Sequence, residues 1–169
     1  MNVVLIGYRG SGKSTVGRLL ADRLWQDFVD TDVLVQRQAG QTIREIFRDH
    51  GEAHFRALES AVIQDIAQKD NLIIAAGGGA VLAAENVTAL KKNGRMIWLQ
   101  ATPEALWERM NMDPATADAR PNLTAAGGLE EVKTLLAGRE ETYRAVADAA
   151  LDVTRLEPQR VVGYLMQLI

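Results

Sequence analysis

The sequence predicts an α/β fold, in which helices cover both faces of a parallel sheet. Apolar runs of strand length alternate along the 169 residues with stretches of helical period. This alternation is typical of a parallel sheet wrapped by helices. The runs are rich in branched side chains, which strands covered on both faces prefer. The length fits one domain, residues 1–169, that is large enough to bury a core without cross-links.

Two long segments interrupt the regular alternation. The five predicted strands are Asn2–Ile6, Phe28–Asp30, Leu72–Ala75, Arg95–Leu99 and Ala150–Val153. Between the second and third strands, residues 33–69 are too long for a simple crossover, so we expect two or three helices there. We assign about residues 33–60 of this insertion to a substrate-binding subdomain. Residues 111–128 have no helical or strand period and carry prolines and glycines, which predicts a mobile surface loop.

The composition excludes several classes of function. The chain has no cysteine, which excludes disulfides and thiolate metal sites and fits a reducing compartment. A net charge of −3 and an aromatic content of 5% offer no basic, stacking surface for nucleic acid. No apolar stretch approaches the roughly 20 residues of a membrane span. We therefore expect a cytoplasmic, monomeric protein with neither a nucleic acid nor a membrane as partner.

The strongest motif is a phosphate-binding loop. Gly7–Ser14 matches G-x-x-x-x-G-K-[ST] and follows the first strand directly. Its backbone N–H groups can turn inward on the phosphates of a nucleoside triphosphate. Lys13 is expected at the β- and γ-phosphates and Ser14 at Mg²⁺, whereas a glycine-rich turn with no ligand is the less frequent alternative. The other loop residues expected to bind ATP are Gly10, Ser11, Gly12 and Thr15.

A pair of aspartates follows the second predicted strand. Asp30 and Asp32 emerge at the carboxyl edge of the sheet, where α/β proteins bind their ligands. One carboxylate could help to hold Mg²⁺, and the other could accept a hydrogen bond from an attacking hydroxyl. The alternative is that Asp32 only caps a helix that begins at Val33.

A run of glycines and a separate arginine provide further candidates. Gly77–Gly79 follow the third strand and would let a ligand approach the backbone closely, although a simple turn before the helix near Ala83 is the alternative. Arg56 lies in the insertion, and Glu59 follows on the same predicted helix face, where it could orient the guanidinium group.

Three more arginines have candidate roles. Arg120 in the surface loop could complete the stabilisation of a transferring phosphoryl group when the loop closes, and Arg139 could hold a substrate carboxylate. Arg9, inside the phosphate-binding loop, is equally open to interpretation. Taken singly, each is more often a solvated surface residue.

The histidines and tryptophans have simpler interpretations. His50 and His54 are four residues apart, but Gly51 interrupts the helix and no third ligand is apparent, so we interpret them as non-ligands. Trp25, Trp98 and Trp107 are expected to anchor packing.

Taken together and in order, the motifs resemble the shikimate kinase family. They are G-x-x-x-x-G-K-S, Asp-Thr-Asp, G-E-x-x-F-R-x-x-E, a strand ending in three glycines, R-P-x-L and R-x-x-x-Y. The resemblance implies a nucleoside monophosphate kinase-like fold with strand order 2-3-1-4-5, a shikimate-binding region and a lid at about residues 111–126. It also implies phosphoryl transfer from ATP, with Mg²⁺, to the 3-hydroxyl of shikimate in aromatic amino acid biosynthesis.

The resemblance implies roles for residues on both sides of this reaction. On the ATP side it implies Lys13 and Ser14 for nucleotide and metal, Asp30 for metal, Arg120 as the lid arginine, and Arg109 and Arg155 beside the adenine. On the shikimate side it implies Asp32 at the hydroxyl groups and as a base, Arg56 and Arg139 at the carboxylate, and Gly78 and Gly79 near the ring. Lys13, Asp32 and Arg120 are thus the implied catalytic residues.

Other functions share the phosphate-binding loop. A gluconate kinase or another small-molecule kinase would use a different acceptor, and a nucleotide kinase would need a pocket for a second base. A nucleotide-binding switch without transferase activity would act through a protein partner instead.

Overall fold

The computed structural model describes residues 1–113 and 122–169. In these ranges five strands form one sheet of order β2-β3-β1-β4-β5, and every neighbouring pair is parallel. The strands are β1 Asn2–Ile6, β2 Asp27–Asp30, β3 Leu72–Ala75, β4 Gly94–Gln100 and β5 Ala149–Asp152. The predicted fold class and strand order are confirmed, and each predicted strand end lies within one residue of the observed one.

Helices connect the strands and cover the sheet. They are α1 Lys13–Leu24, α2 Thr31–Ala39, α3 Ile43–His50, α4 Glu52–Ile66, α5 Ala84–Lys92, α6 Pro103–Met112, α7 Gly128–Val146 and α8 Pro158–Leu168, with a short 3₁₀ turn at Ala80–Leu82. The insertion between β2 and β3 consists of α2, α3 and α4, as the sequence predicts. None of the helices within the described ranges is long and apolar enough to cross a membrane.

Side chains of the central strand alternate between two buried clusters. Val4 and Ile6 pack in the cluster on one face of the sheet, whereas Val3 and Leu5 pack in the cluster on the other. All four side chains are at most 3% exposed. Because both faces are covered, the strand appears in the sequence as an unbroken apolar run rather than an alternating one.

Strand register brings three loops together. Leu5 in β1 lies beside Ala75 in β3, and Ala75 lies in turn beside Asp30 in β2. Parallel strands end at the same edge of a sheet. The segments that follow these strands therefore meet at one place on the surface.

The insertion has a small core of its own. Val35, Ile43, Ile46, Phe55 and Val62 form a third buried cluster that joins α2, α3 and α4. A capping box starts α3, because the Thr42 side chain accepts a hydrogen bond from the Glu45 N–H at 3.2 Å and the Glu45 carboxylate accepts one from the Thr42 N–H at 2.7 Å. This separate packing gives the insertion a defined shape next to the sheet.

The expectation that all three tryptophans anchor packing is wrong for Trp25. Its side chain is 93% exposed, and the residue ends α1 in a left-handed conformation with φ 57°. Trp98 is 3% exposed and packs against Tyr143, with ring centroids 5.5 Å apart, and Trp107 is half-buried against the same cluster. The apolar stripe of α1 ends before Trp25, because the left-handed backbone conformation of Trp25 ends the helix.

Candidate active site

The phosphate-binding loop joins β1 to α1. Gly10 and Gly12 have φ values of 84° and 90°, which residues other than glycine rarely adopt. A Cβ atom on Gly10 would lie 2.8 Å from the carbonyl oxygen of Leu106, so the loop also packs closely on α6. Gly12 precedes α1 and provides no side-chain cap, which leaves the first N–H groups of the helix for an anion.

Lys13 lies across the loop. Its Nζ donates hydrogen bonds to the carbonyl oxygens of Gly7 at 2.8 Å and Tyr8 at 3.0 Å, and the residue is only 9% exposed. These partners are neutral carbonyls, so phosphate oxygens would be stronger acceptors for the same ammonium group. The loop thus contains a buried cation next to a set of helix N–H groups.

Ser14 and Asp30 form an oxygen pair at the end of β2. The Ser14 hydroxyl donates to Asp30 Oδ2 at 2.5 Å, while Asp30 Oδ1 accepts from the N–H groups of Asp32 at 3.0 Å and Val33 at 3.4 Å. Asp30 therefore caps α2. The alternative in which Asp32 caps a helix beginning at Val33 is wrong, because the helix begins at Thr31 and Asp32 lies in its first turn.

One cleft collects these groups. Its lining includes Lys13, Ser14, Asp30, Asp32 and Gly78. We call it the phosphate cleft. Hydroxyl and carboxylate oxygens are the ligands that Mg²⁺ prefers, and Ser14 and Asp30 present both at hydrogen-bonding distance from each other. These residues fit the predicted metal.

A second cavity, which we call the acceptor cavity, lies between the insertion and α7. Its charged lining residues are Arg9, Arg56, Glu59, Glu131 and Arg139, and its ring-bearing residues are Tyr8, Phe47 and Phe55. Arginine forks suit a carboxylate, and apolar walls suit a ring. The cavity therefore fits a small, cyclic, anionic molecule.

Glu59 holds Arg56 in position, as the sequence predicts. Arg56 Nη1 lies 2.8 Å from Glu59 Oε1, and Arg56 Nη2 lies 3.4 Å from Glu52 Oε1. Glu59 is 1% exposed. Burial raises the pKa of Glu59, and the positive charges of Arg56 and Arg139 act in the opposite direction. The guanidinium group is thus fixed from the core side.

The three glycines leave room for charged side chains. A Cβ atom on Gly79 would lie 2.5 Å from both terminal nitrogens of Arg56. A Cβ atom on Gly77 would lie 2.8 Å from Asp32 Oδ1 and 2.7 Å from Glu59 Oε2. This close approach is the reason for glycine here, since any side chain would displace the charged groups.

A third cleft extends from the phosphate-binding loop to the segment between β5 and α8. Gly10, Gly12 and Thr15 line one side of it, and Arg109 and Arg155 line the other. Arg109 Nη2 donates to the carbonyl oxygens of Val153 at 2.6 Å and Thr154 at 3.1 Å. The structure thus brings both predicted adenine-side arginines to the loop.

The remaining predicted site residues differ in their outcome. Arg120 lies outside the described residues, as do residues 114–121, which are half of the predicted lid. Helix α6 continues to Met112, so the first two residues of the segment predicted as the lid are helical. Leu123, after the gap, lines the acceptor cavity. His50 ends α3 and His54 lies in α4, with ring centroids 4.7 Å apart, so Gly51 does interrupt the helix.

Sequence reasoning missed some lining residues. Tyr8 and Glu131 border the acceptor cavity, although the sequence motifs identify neither as a site residue. Tyr8 could have been found, because it lies inside the phosphate-binding loop. Nothing in the sequence around Glu131 distinguishes it from the other acidic residues of α7.

Comparisons with known proteins agree with this geometry. A family model described as shikimate kinase matches residues 9–169. A shikimate kinase from Symbiobacterium thermophilum is 44% identical over 167 residues, which cover 99% of this chain and 95% of that protein. A solved structure of shikimate kinase from Acinetobacter baumannii in complex with shikimate has a TM-score of 0.92 at 32% identity, covering 99% of this chain and 91% of that one.

A more distant likeness shows the fold alone. A gluconokinase from Sinorhizobium meliloti has a TM-score of 0.59 at 19% identity, covering 99% of this chain and 92% of that one. The family match, in contrast, includes every residue named above as lining the phosphate cleft or the third cleft. It also includes the residues named as lining the acceptor cavity, except Tyr8. On this evidence the chain belongs to the shikimate kinase family.

Proposed function

We propose that this chain transfers the γ-phosphoryl group of ATP to the 3-hydroxyl of shikimate, giving shikimate 3-phosphate and ADP. The observation that carries the proposal is the junction of two sites. Gly78 lines both the phosphate cleft and the acceptor cavity, so a donor phosphate and an acceptor ring would meet at this residue. The relative from A. baumannii, whose solved structure holds shikimate, supports the choice of acceptor.

The transfer needs positioning more than covalent chemistry from the protein. The shikimate 3-oxygen forms a bond to the γ-phosphorus with its lone pair, and the bond between this phosphorus and the bridging oxygen breaks with its electrons on ADP. The hydroxyl proton leaves to a carboxylate and then to water. In-line geometry and charge stabilisation account for most of the rate of such reactions.

The phosphate cleft supplies the donor side. Lys13 stabilises charge on the β- and γ-phosphates, and the N–H groups at the start of α1 bind the phosphate oxygens. Ser14 and Asp30 would hold Mg²⁺ through their oxygens. The ion, when bound, neutralises charge on the phosphates.

The acceptor cavity supplies the other side. Arg56 and Arg139 bind the shikimate carboxylate, since two guanidinium groups face one cavity with apolar walls. Asp32 accepts the hydrogen bond from the 3-hydroxyl and takes its proton. It is suited to this role because it lines the phosphate cleft within the first turn of α2 and its Oδ1 borders Gly77.

The remaining assignments follow the resemblance. Arg109 and Arg155 contact the adenine end of ATP, in the cleft that also contains Thr15. Arg120 contacts the phosphates when the lid, about residues 111–126, closes. Closure would exclude water, which is the competing acceptor.

The decisive experiment measures ADP release by the purified protein with ATP and Mg²⁺. Parallel reactions contain shikimate, gluconate, a nucleoside monophosphate or no acceptor. We expect ADP release only with shikimate, in equal amount to shikimate 3-phosphate. ADP release that depends on gluconate or on a nucleotide would show that this molecule, and not shikimate, is the acceptor. ATP binding without any acceptor-dependent ADP release would favour a nucleotide-binding switch.

A further inference from the structure

Arg9 occupies the boundary between the two halves of the site. It lines both the phosphate cleft and the acceptor cavity. Ile43 and Gly78 are the other described residues that line both, so among these Arg9 alone carries a charge. Its backbone nitrogen lies 3.6 Å from the position that a Cβ atom on Gly78 would take. Arg9 therefore contributes a cation at the boundary between the two clefts.

The side chain of Arg9 has unused hydrogen-bonding capacity. Its Nε is buried and has no hydrogen-bond partner among the described residues. A buried donor without an acceptor is costly, and few are tolerated in folded proteins. Burial also lowers the pKa of Arg9, although arginine keeps its charge at any ordinary pH. Such a donor is suited to an anion that is present only when substrate is bound.

Glu131 lines the same cavity as Arg9. Tyr8 and, more weakly, Glu131 favour the charged form of Arg9 electrostatically, and Glu131 is itself 6% exposed. Glu131 Oε1 accepts a hydrogen bond from the N–H of Thr124 at 2.5 Å. Arg9 therefore shares the cavity with a buried carboxylate of α7 that favours its positive charge.

Arg56 and Arg139 differ from Arg9 in the clefts that they line. Both line the acceptor cavity without lining the phosphate cleft. Two arginines suffice for one carboxylate, since each can bind it through two donors. A third guanidinium group at the boundary would face the other end of the acceptor, where the new phosphate ester is formed.

We propose that Arg9 binds the phosphoryl group in its transferred position, on the 3-oxygen of the acceptor, and so discriminates phosphorylated product from shikimate. The inference rests on the proposed function and adds a product-binding role to the phosphate-binding loop. Arg9 contacts the phosphoryl oxygens late in the transfer and keeps contact until the product leaves. It therefore contributes to turnover and to product affinity, and not to the affinity for unphosphorylated shikimate.

The test compares Arg9→Met, which keeps the aliphatic stem, with Arg9→Lys, which keeps the charge but loses the fork. Arg23→Met is the matched control, because this exposed residue at the end of α1 lines neither site and its loss changes the net charge equally. Calorimetry gives the Kd of shikimate and of shikimate 3-phosphate separately, and steady-state assays give kcat.

We expect Arg9→Met to weaken shikimate 3-phosphate binding by about tenfold or more and to lower kcat by about 10- to 100-fold, with shikimate binding within about twofold of wild type. Arg9→Lys should give a product affinity and a kcat between those of wild type and Arg9→Met. An equal loss of affinity for shikimate and its phosphate would overturn the inference, as would an unchanged product affinity. If wild type itself does not phosphorylate shikimate, the proposed function fails instead, and the two failures are thus distinguishable.

Discussion

The hydroxyl of Tyr143 donates a hydrogen bond of 2.6 Å to the carbonyl oxygen of Gly78, and both residues are buried. Tyr143 lies four residues after Arg139 on the same helix, so the two side chains share a face. The bond therefore connects the helix that carries Arg139, a proposed ligand of the shikimate carboxylate, to Gly78, which lines both clefts.

Removing this hydroxyl should damage both stability and substrate binding. In Tyr143→Phe, the buried carbonyl of Gly78 loses its donor, which should lower the free energy of unfolding by about 1–3 kcal/mol. The Kd of shikimate should rise more than that of ATP, because Arg139 on the same helix lines the acceptor cavity and not the phosphate cleft. Urea unfolding and calorimetry measure the two effects. Tyr164→Phe, at a 45% exposed position on α8, is the control and should change neither.

Lys13→Ala should abolish transfer and leave the fold intact. The ammonium group donates to the loop carbonyls of Gly7 and Tyr8, and its loss should mainly remove charge stabilisation from the bound phosphates. We expect kcat to fall by about 10²- to 10³-fold or more, with an unchanged circular dichroism spectrum. Lys92→Ala, at an exposed position in α5, serves as the control. Normal turnover by the Lys13 variant would contradict the assignment of the site.

Arg56→Ala should weaken shikimate binding far more than ATP binding. A charge-assisted hydrogen bond is worth about 1.5–3 kcal/mol, so the Kd of shikimate should rise by about 10- to 150-fold. Arg48→Ala tests for general effects of charge in the insertion, since Arg48 is exposed and pairs only with its neighbour Asp49 among the described ion pairs. Equal losses for both ligands in calorimetric titrations would contradict the proposed division between the clefts.

Glu59 should make stability depend on pH. Because its pKa is raised in the folded protein, the folded state binds this proton more tightly than the unfolded chain. The resulting stability is complete below the ordinary glutamate pKa and is lost as the pH rises through the raised value. The free energy of unfolding of wild type should therefore decline across this window relative to Glu59→Gln, by up to about 1.4 kcal/mol per pH unit.

Urea unfolding at a series of pH values tests this dependence. Glu52→Gln is the matched control, because Glu52 contacts the same Arg56 from a 58% exposed position. The control should keep the wild-type slope. If Glu59→Gln also keeps it, the raised pKa of Glu59 has no effect on folding.

Gly79→Ala should impair the site without unfolding the protein. The added methyl group would meet the end of the flexible Arg56 side chain, which can move away from Glu59. Shikimate binding should weaken by about tenfold or more, with a change in unfolding free energy below about 1 kcal/mol. Gly163→Ala in α8 has no atom within 4 Å of the new Cβ and should stabilise the protein by about 0.5–1 kcal/mol. Unchanged shikimate affinity in Gly79→Ala would show that Arg56 is not displaced.

The sheet was predictable because its strands are covered on both faces. Val3, Val4, Leu5 and Ile6 are all buried, so the sequence shows an unbroken apolar run of the right length. Trp25 illustrates the limit, because its aromatic character suggests packing while its place after the last helical turn exposes it. Whether a large side chain at a helix end is buried depends on the neighbouring elements.

The site was predictable where strand ends determine it. Asp30, Asp32 and Gly77–Gly79 follow neighbouring strands, so topology alone brings them to one edge. The capping role fell to Asp30 rather than Asp32 because the helix starts at Thr31, two residues earlier than expected. Glu131 could not be predicted, since its place in the acceptor cavity results from the position of α7 in the fold rather than from any local sequence pattern.

The strand order also constrains how the protein is made. Among the described residues, strand β1 pairs with β3 and β4, and its partners extend as far along the chain as Trp98. During synthesis at about 5–20 residues per second, β1 has no partner until these later strands have left the ribosome. The phosphate-binding loop comes first in the sequence, yet it acquires its support late. We therefore expect a chain truncated before β4 to be unable to retain nucleotide.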